Sequence, residues 1–156
     1  MEFARHVHGY LNSYIHLADA KAAAVFVVVS GMMGFLVDSA GTFSRHDLDV
    51  PKAAWFSAAM LVNVLALLLA LLVVRPRLSK GTPGRFIYWG DILEFKKPDA
   101  YARELAGLND GKAVEHVAVH NWHLAKVANA KYRLLLASFV LAGLGLLASI
   151  PFAVVY

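Results

Sequence analysis

Three stretches of this chain, Ala22 to Val37, Ala53 to Val74 and Leu134 to Tyr156, contain no Lys, Arg, Asp or Glu. They hold 16, 22 and 23 residues, and a helix rising 1.5 Å per residue needs about 20 to cross a hydrocarbon core of roughly 30 Å. The second and third are long enough as they stand. The first reaches the required length by borrowing Asp19 to Lys21, because a lysine lays its alkyl stem along apolar surface while its ammonium stays among the headgroups. The alternative is a soluble domain that buries such helices, but 59% hydrophobic composition and a mean hydropathy of +0.56 over 156 residues leave too little polar surface to cover that core. The expected fold is therefore an all-α integral membrane protein with three transmembrane helices and a small helical part outside the bilayer.

Charge between the runs gives an orientation. The link Asp38 to Lys52 carries only Arg45 and Lys52, whereas the stretch Arg75 to Arg133 carries eleven basic residues. Short loops rich in Lys and Arg stay in the cytoplasm. The long stretch is expected there together with the N-terminus, and the C-terminus outside. The net charge of +4 and pI near 9.4 follow mostly from this bias, so nucleic acid is not an expected partner. Residues 1 to 21 are polar and interrupted by Asp19 and Lys21, unlike a cleavable signal peptide. With no cysteine, disulfide and thiolate chemistry are excluded.

The expected organisation runs as a cytoplasmic amphipathic helix over 1–21, a first span over 22–37, an external loop over 38–52, a second span over 53–74, a cytoplasmic region over 75–132 and a third span over 133–156. Phe3, Val7, Tyr10, Leu11, Tyr14 and Ala18 recur at helical spacing, so the first helix should run straight into the first span. Ser30, Gly31 and Gly34 put small side chains on that span, a pattern that lets helices approach closely. Asp38, Ser39, Gly41 and Thr42 suggest a turn, and Pro51 opens the second span where its missing N–H costs nothing. Pro76 ends that span, and Ser79, Gly81, Thr82, Pro83 and Gly84 form a linker. Pro98 and Asp99 start a helix reaching about Leu108, which Asn109, Asp110 and Gly111 close. From Ala113 to Ala142 neither Pro nor Gly interrupts, so one helix should continue into the third span, with Val114, Val117, Leu124 and Ala128 as its packing stripe.

Ala18-Asp19-Ala20-Lys21-Ala22 before the first span, Tyr88-Trp89-Gly90-Asp91-Ile92 after the second, Tyr101 in the next helix, and Lys131-Tyr132 entering the last span occur in an order that resembles the transmembrane effector family of Pycsar anti-phage systems. The resemblance covers nearly the whole chain. It implies an effector that answers a cyclic pyrimidine mononucleotide, such as cyclic CMP or cyclic UMP, made by a partner cyclase on infection. Such an effector impairs the inner membrane, so that the cell stops growing or dies. It implies a sensing role for 75–132, a physical rather than a catalytic action and no cofactor. Glu115, His116, His120 and His123 depart from the neutral polar residues expected before Lys131.

A cyclic-nucleotide site needs a cation or N–H groups for one phosphate charge, an aromatic face for the base and polar groups for its edge. Arg85, Tyr88, Trp89 and Asp91 supply those types within seven residues, with Gly84 and Gly90 permitting close approach and His120 as a further candidate. The same aromatics also suit an interfacial anchor, with Arg85 reaching headgroups. Asp91 alternatively caps or pairs locally, for instance with a lysine of the last helix. Glu115, His116, His120 and His123 fall on roughly one helix face, but no paired zinc signature accompanies them, and a solvated or intersubunit face is expected rather than a metal site.

Asp19 and Lys21 stand where an unpaired charge is costly, and pairing with Lys131 and another carboxylate would couple the cytoplasmic helices to the spans. Asn63, the strongly polar residue deep in a span, reads as interhelical glue or oligomer register. Lys131 and Tyr132 mark the entry to the last span. Three spans without interior charge enclose no aqueous path alone, so permeabilisation implies a homo-oligomer in the lipid bilayer. Two other functions fit the same residues: a membrane anchor or scaffold for a cytoplasmic partner, and a metal-dependent membrane enzyme using Glu115 and the histidines.

Overall fold

The computed structural model describes residues 2–42, 50–76 and 86–154, with the backbone alone at Thr42, Trp89, Ala153 and Val154. The expected linker from Ser79 to Gly84, the arginine at Arg85 and residues 43–49 of the expected external loop lie outside the described residues. Five helices occur in the order α1 (Glu2–Thr42), α2 (Val50–Val74), α3 (Trp89–Ile92), α4 (Pro98–Ala106) and α5 (Asp110–Val154). At 1.5 Å per residue α1 and α5 are about 60 and 67 Å long, twice a hydrocarbon core, so each extends well beyond any span it makes. Among the described residues all regular structure is helical, and three helices are long and apolar enough to cross a membrane.

The chain divides into a span unit, residues 17–75 and 131–156, and a head unit, residues 1–16 and 76–130. In the span unit the buried positions are Ala18, Ala22, Val25, Val29, Leu36 and Ser39 on α1, and Ala59, Asn63, Ala66, Ala70 and Val73 on α2. On α5 they are Lys131, Leu135, Ser138, Gly145, Ser149 and Phe152. These steps of three, four and seven are the spacing of a supercoiled seam. Three layers stack along it: Ala18 and Ala22 with Val73 and Leu135, then Val25 and Val29 with Ala66 and Ala70, then Leu36 with Ala59 and Phe152. The middle of α1, at Ala18 and Ala22, thus meets the end of α2, and α5 runs parallel to α1. Outside the seam the spans expose Phe26, Val27, Leu61, Leu68, Leu136 and Leu147, and only 22%, 28% and 22% of the three apolar windows is buried. In water such a surface would aggregate, whereas in lipid it faces a matching solvent.

Several local expectations change. The segment Asp38 to Thr42 extends α1 by a further turn, because adding a residue to an existing helix is far cheaper than nucleating a turn, and Ser39 is buried there. A Cβ on Gly31 or Gly34 would meet nothing within 4 Å, so close approach is provided instead by alanines and by Gly145. α4 stops at Ala106 with Gly107 as its C-cap, and Asn109 opens α5 rather than closing α4. Asn109 Oδ1 accepts the N–H of Lys112 at 2.9 Å, capping the new helix three residues in.

Candidate functional site

At the first layer of the span unit, Lys131 of α5 donates to Asp19 of α1 in an ion pair. The lysine side chain is 6% exposed and the carboxylate 31%. Ala18 and Ala22, one position to either side of the Asp19–Lys21 segment, lie in the same layer as Tyr132 and Leu135. Lysine is strongly hydrated and expensive to bury, so this position is tolerable because an opposite charge awaits it. Lys21 is exposed and makes no ion pair among the described residues. Two of the expected coupling residues therefore meet, and Tyr132 packs beside them.

Deeper in the seam, Asn63 donates from Nδ2 to Ala59 O of its own helix at 2.9 Å, not to a neighbour. Its Oδ1 is buried without a hydrogen-bond partner and faces Gly145 of α5, where a built Cβ would lie 2.5 Å away. Two interhelical hydrogen bonds of the span unit come from residues the sequence did not single out. Ser138 Oγ donates to Ala66 O at 3.1 Å, and Trp55 Nε1 donates to Ala148 O at 2.9 Å.

In the head unit, Tyr88 O closes the turn of α3, accepting the N–H groups of Asp91 and Ile92 at 3.0 and 3.1 Å. The Tyr88 ring covers Gly90, whose Cβ would fall 2.6 Å from Tyr88 Cε1, so Gly90 makes room for this ring rather than for a ligand. Asp91 is 3% exposed, and neither carboxylate oxygen has a hydrogen-bond partner among the described residues. The expected lysine partner on α5 is not there. A buried carboxylate accepts only, so any group bringing N–H or O–H donors to it gains a strong charge-assisted bond.

Around this turn, Phe86 lies 5.0 Å from the His116 ring, edge to face, and 6.0 and 6.3 Å from Phe95 and Tyr101. Tyr101 also donates its hydroxyl to Phe86 O at 3.2 Å, which anchors the turn on α4. An open cavity of about 490 Å³ adjoins the cluster, lined by Phe86, Arg103, Glu104, Gly107, Leu108, Lys112 and His116. The histidines of α5 part company: His116 meets Phe86, the His120 ring lies 5.2 Å from His8 of α1, and His123 packs on Trp122. No group of three potential metal ligands gathers among the described residues. Asn121, unremarked in the sequence, is 8% exposed; its Nδ2 donates to Ala4 O at 3.0 Å and its Oδ1 accepts from His8 Nδ1 at 3.3 Å. Asn12 completes the chain by donating to His8 Nε2 at 2.9 Å.

Three helices long and apolar enough to cross a membrane, two of which also contribute to a polar head, define a multi-pass membrane protein. The Pycsar effector protein domain matches residues 3–156, and the chain belongs to that family, the transmembrane effectors of anti-phage defence. The Pycsar effector protein SaPycTM of Staphylococcus aureus is similar, with 26% identity over 146 residues that cover 92% of this chain and 88% of the relative. No solved structure matches.

Proposed function

We propose that this effector answers a cyclic pyrimidine mononucleotide supplied by a partner cyclase and then impairs the inner membrane, arresting or killing the infected cell. The observation that carries this reading is the unbroken course of α1 and α5 through both units, with the Asp19–Lys131 pair tying the two helices at the first layer of the seam. A ligand that binds the head unit differently in two arrangements of these helices shifts their populations, and only by its differential affinity. The head lies in the cytoplasm with the N-terminus, as the basic residues of 75–133 suggest. The segment Arg85 to Asp91, with Tyr88, Trp89 and His120, takes part in ligand recognition, and the donorless Asp91 carboxylate supports that role. Three helices packed on an alanine seam are too few to enclose an aqueous path in one chain, so the lesion is made by a homo-oligomer.

The test is dye release from liposomes holding the purified full chain, with cyclic CMP, cyclic UMP and cyclic AMP present on both faces in separate trials. One pyrimidine nucleotide should trigger release and the purine should not. Tight vesicles under all three would sink the gated-effector reading and favour the anchor.

A further inference from the structure

Within the head unit, one feature was not visible as a motif: the cavity between the Phe86 turn, the end of α4 and the start of α5. Resting on the reading that a cyclic nucleotide is the ligand, we propose that this cavity is its seat, with Arg103 and Lys112 holding the cyclic phosphate and Phe86 and His116 offering the aromatic surface for the base.

Four observations converge on it. The volume of about 490 Å³ falls within the roughly 300–1,000 Å³ of small-molecule sites. Arg103 and Lys112 have no ion-pair partner among the described residues, so their charge is available to a ligand. With Glu104 at the same cavity, the lining carries one net positive charge, matching the single negative charge of a cyclic phosphodiester. The rings are fixed in advance: Phe86 is held by Tyr101 through its carbonyl and packs on Phe95 and His116, so little ordering is needed on binding. At Lys112 the phosphate contact falls to the side chain, since the N–H of Lys112 is already taken by Asn109 Oδ1. Arginine and lysine are suited to that work, because charge-assisted bonds to phosphate oxygens are the strong ones. A base stacks on an aromatic ring whatever its identity, so these residues set affinity while the edge-reading groups set the choice of base.

A phospholipid headgroup presents the same phosphate, and the experiment separates the two sources. The full chain, purified in detergent, is titrated calorimetrically with cyclic CMP and cyclic UMP, and again in nanodiscs of phosphatidylcholine or of phosphatidylglycerol. Arg103→Ala and Lys112→Ala, both on exposed residues, should each weaken nucleotide binding about tenfold or more while circular dichroism stays unchanged. Glu104→Gln, which removes the opposing charge, should tighten it. Binding of normal strength in both alanine variants would overturn the cavity assignment and leave the cyclic-nucleotide reading standing. No nucleotide binding by the wild-type chain would overturn both. Nucleotide binding by the wild-type chain that is abolished in phosphatidylglycerol discs and normal in phosphatidylcholine discs would assign the cations to lipid headgroups and overturn the seat.

Discussion

In the span unit the helices meet along alanines, with Ala18, Ala22, Ala59, Ala66 and Ala70 in the seam, whereas the described part of the head unit closes on amides and rings, among them Asn121, His8, Phe86 and Tyr101. The difference follows from the solvent each faces. Lipid tails are as apolar as leucine, so burying a large aliphatic side chain between spans gains little over leaving it outside, and helices associate by close van der Waals contact between small residues. The head has a ring cluster and polar bonds because in water burial of apolar rings drives association and every buried amide needs a partner. One pair of helices thus carries two kinds of seam along its length.

The largest expected effect breaks the span unit at the Asp19–Lys131 ion pair. Asp19→Ala leaves Lys131 buried without its partner, and loss of one member of a buried pair costs about 3 kcal/mol at the low end, the end suited to a carboxylate that is still partly wet. Replacing Lys131 as well, in Asp19→Ala with Lys131→Met, should return most of that loss. Steric trapping or denaturant titration in micelles measures both. In dye release, the double variant should be stable yet unresponsive to nucleotide. A stable double variant with normal release would leave the pair a packing contact and remove its coupling role.

A smaller loss is expected in the head. Asn121→Ala removes the donor to Ala4 O and the acceptor for His8, leaving His8 with one fewer partner in a half-buried setting. Cost of about 1–3 kcal/mol is expected. Hydrogen exchange should quicken in residues 2–16 while amides of the three spans keep their protection. Equal quickening in both units would mean that they unfold as one body, and the contrast between them would lose its energetic meaning. Asn109→Ala should cost about 1 kcal/mol and fray only the first turn of α5, since its side chain caps Lys112 and nothing further.

The three spans were legible because a run of twenty apolar residues has few other uses, and the Asp19–Lys131 pairing because charges at the membrane entry have few other remedies. Which face of a span turns inward was not legible. Ser30, Gly31 and Gly34 look like an interface, yet they point away from the seam, because in an all-apolar helix no polar face marks the outside. Asn63 reads as interhelical glue or oligomer register, and it does abut Gly145 of α5, but its hydrogen bond stays within α2 while Ser138 bonds across to Ala66 O. In the head, Tyr88 and Asp91 stood out as a compact motif, but Arg103, Lys112 and Asn121 did not. Each is an ordinary polar residue on a helix, and it matters only because the chain folds back to set it beside Phe86 or Ala4.

Ser138 sharpens the comparison most, although its effect is the smallest. Its hydroxyl bonds to Ala66 O at 3.1 Å, and Asn121 bonds to Ala4 O at 3.0 Å, so two neighbouring-helix carbonyls receive a side-chain donor of similar length, one in each unit. Intuition assigns the greater value to the bond in lipid, where no water competes. The disrupted state decides otherwise. Spans that separate in a bilayer stay helical, and a serine there turns its hydroxyl back to the carbonyl four residues earlier, as Ser57 does to Ala53 O and Ser149 to Gly145 O. Little is forfeited. Ser138→Ala is therefore expected to cost about 0.6 kcal/mol, below Asn121→Ala, in the same micelle titration. The reverse order would mean that separated spans leave this hydroxyl unsatisfied, and that polar bonds rather than alanine contacts hold the seam.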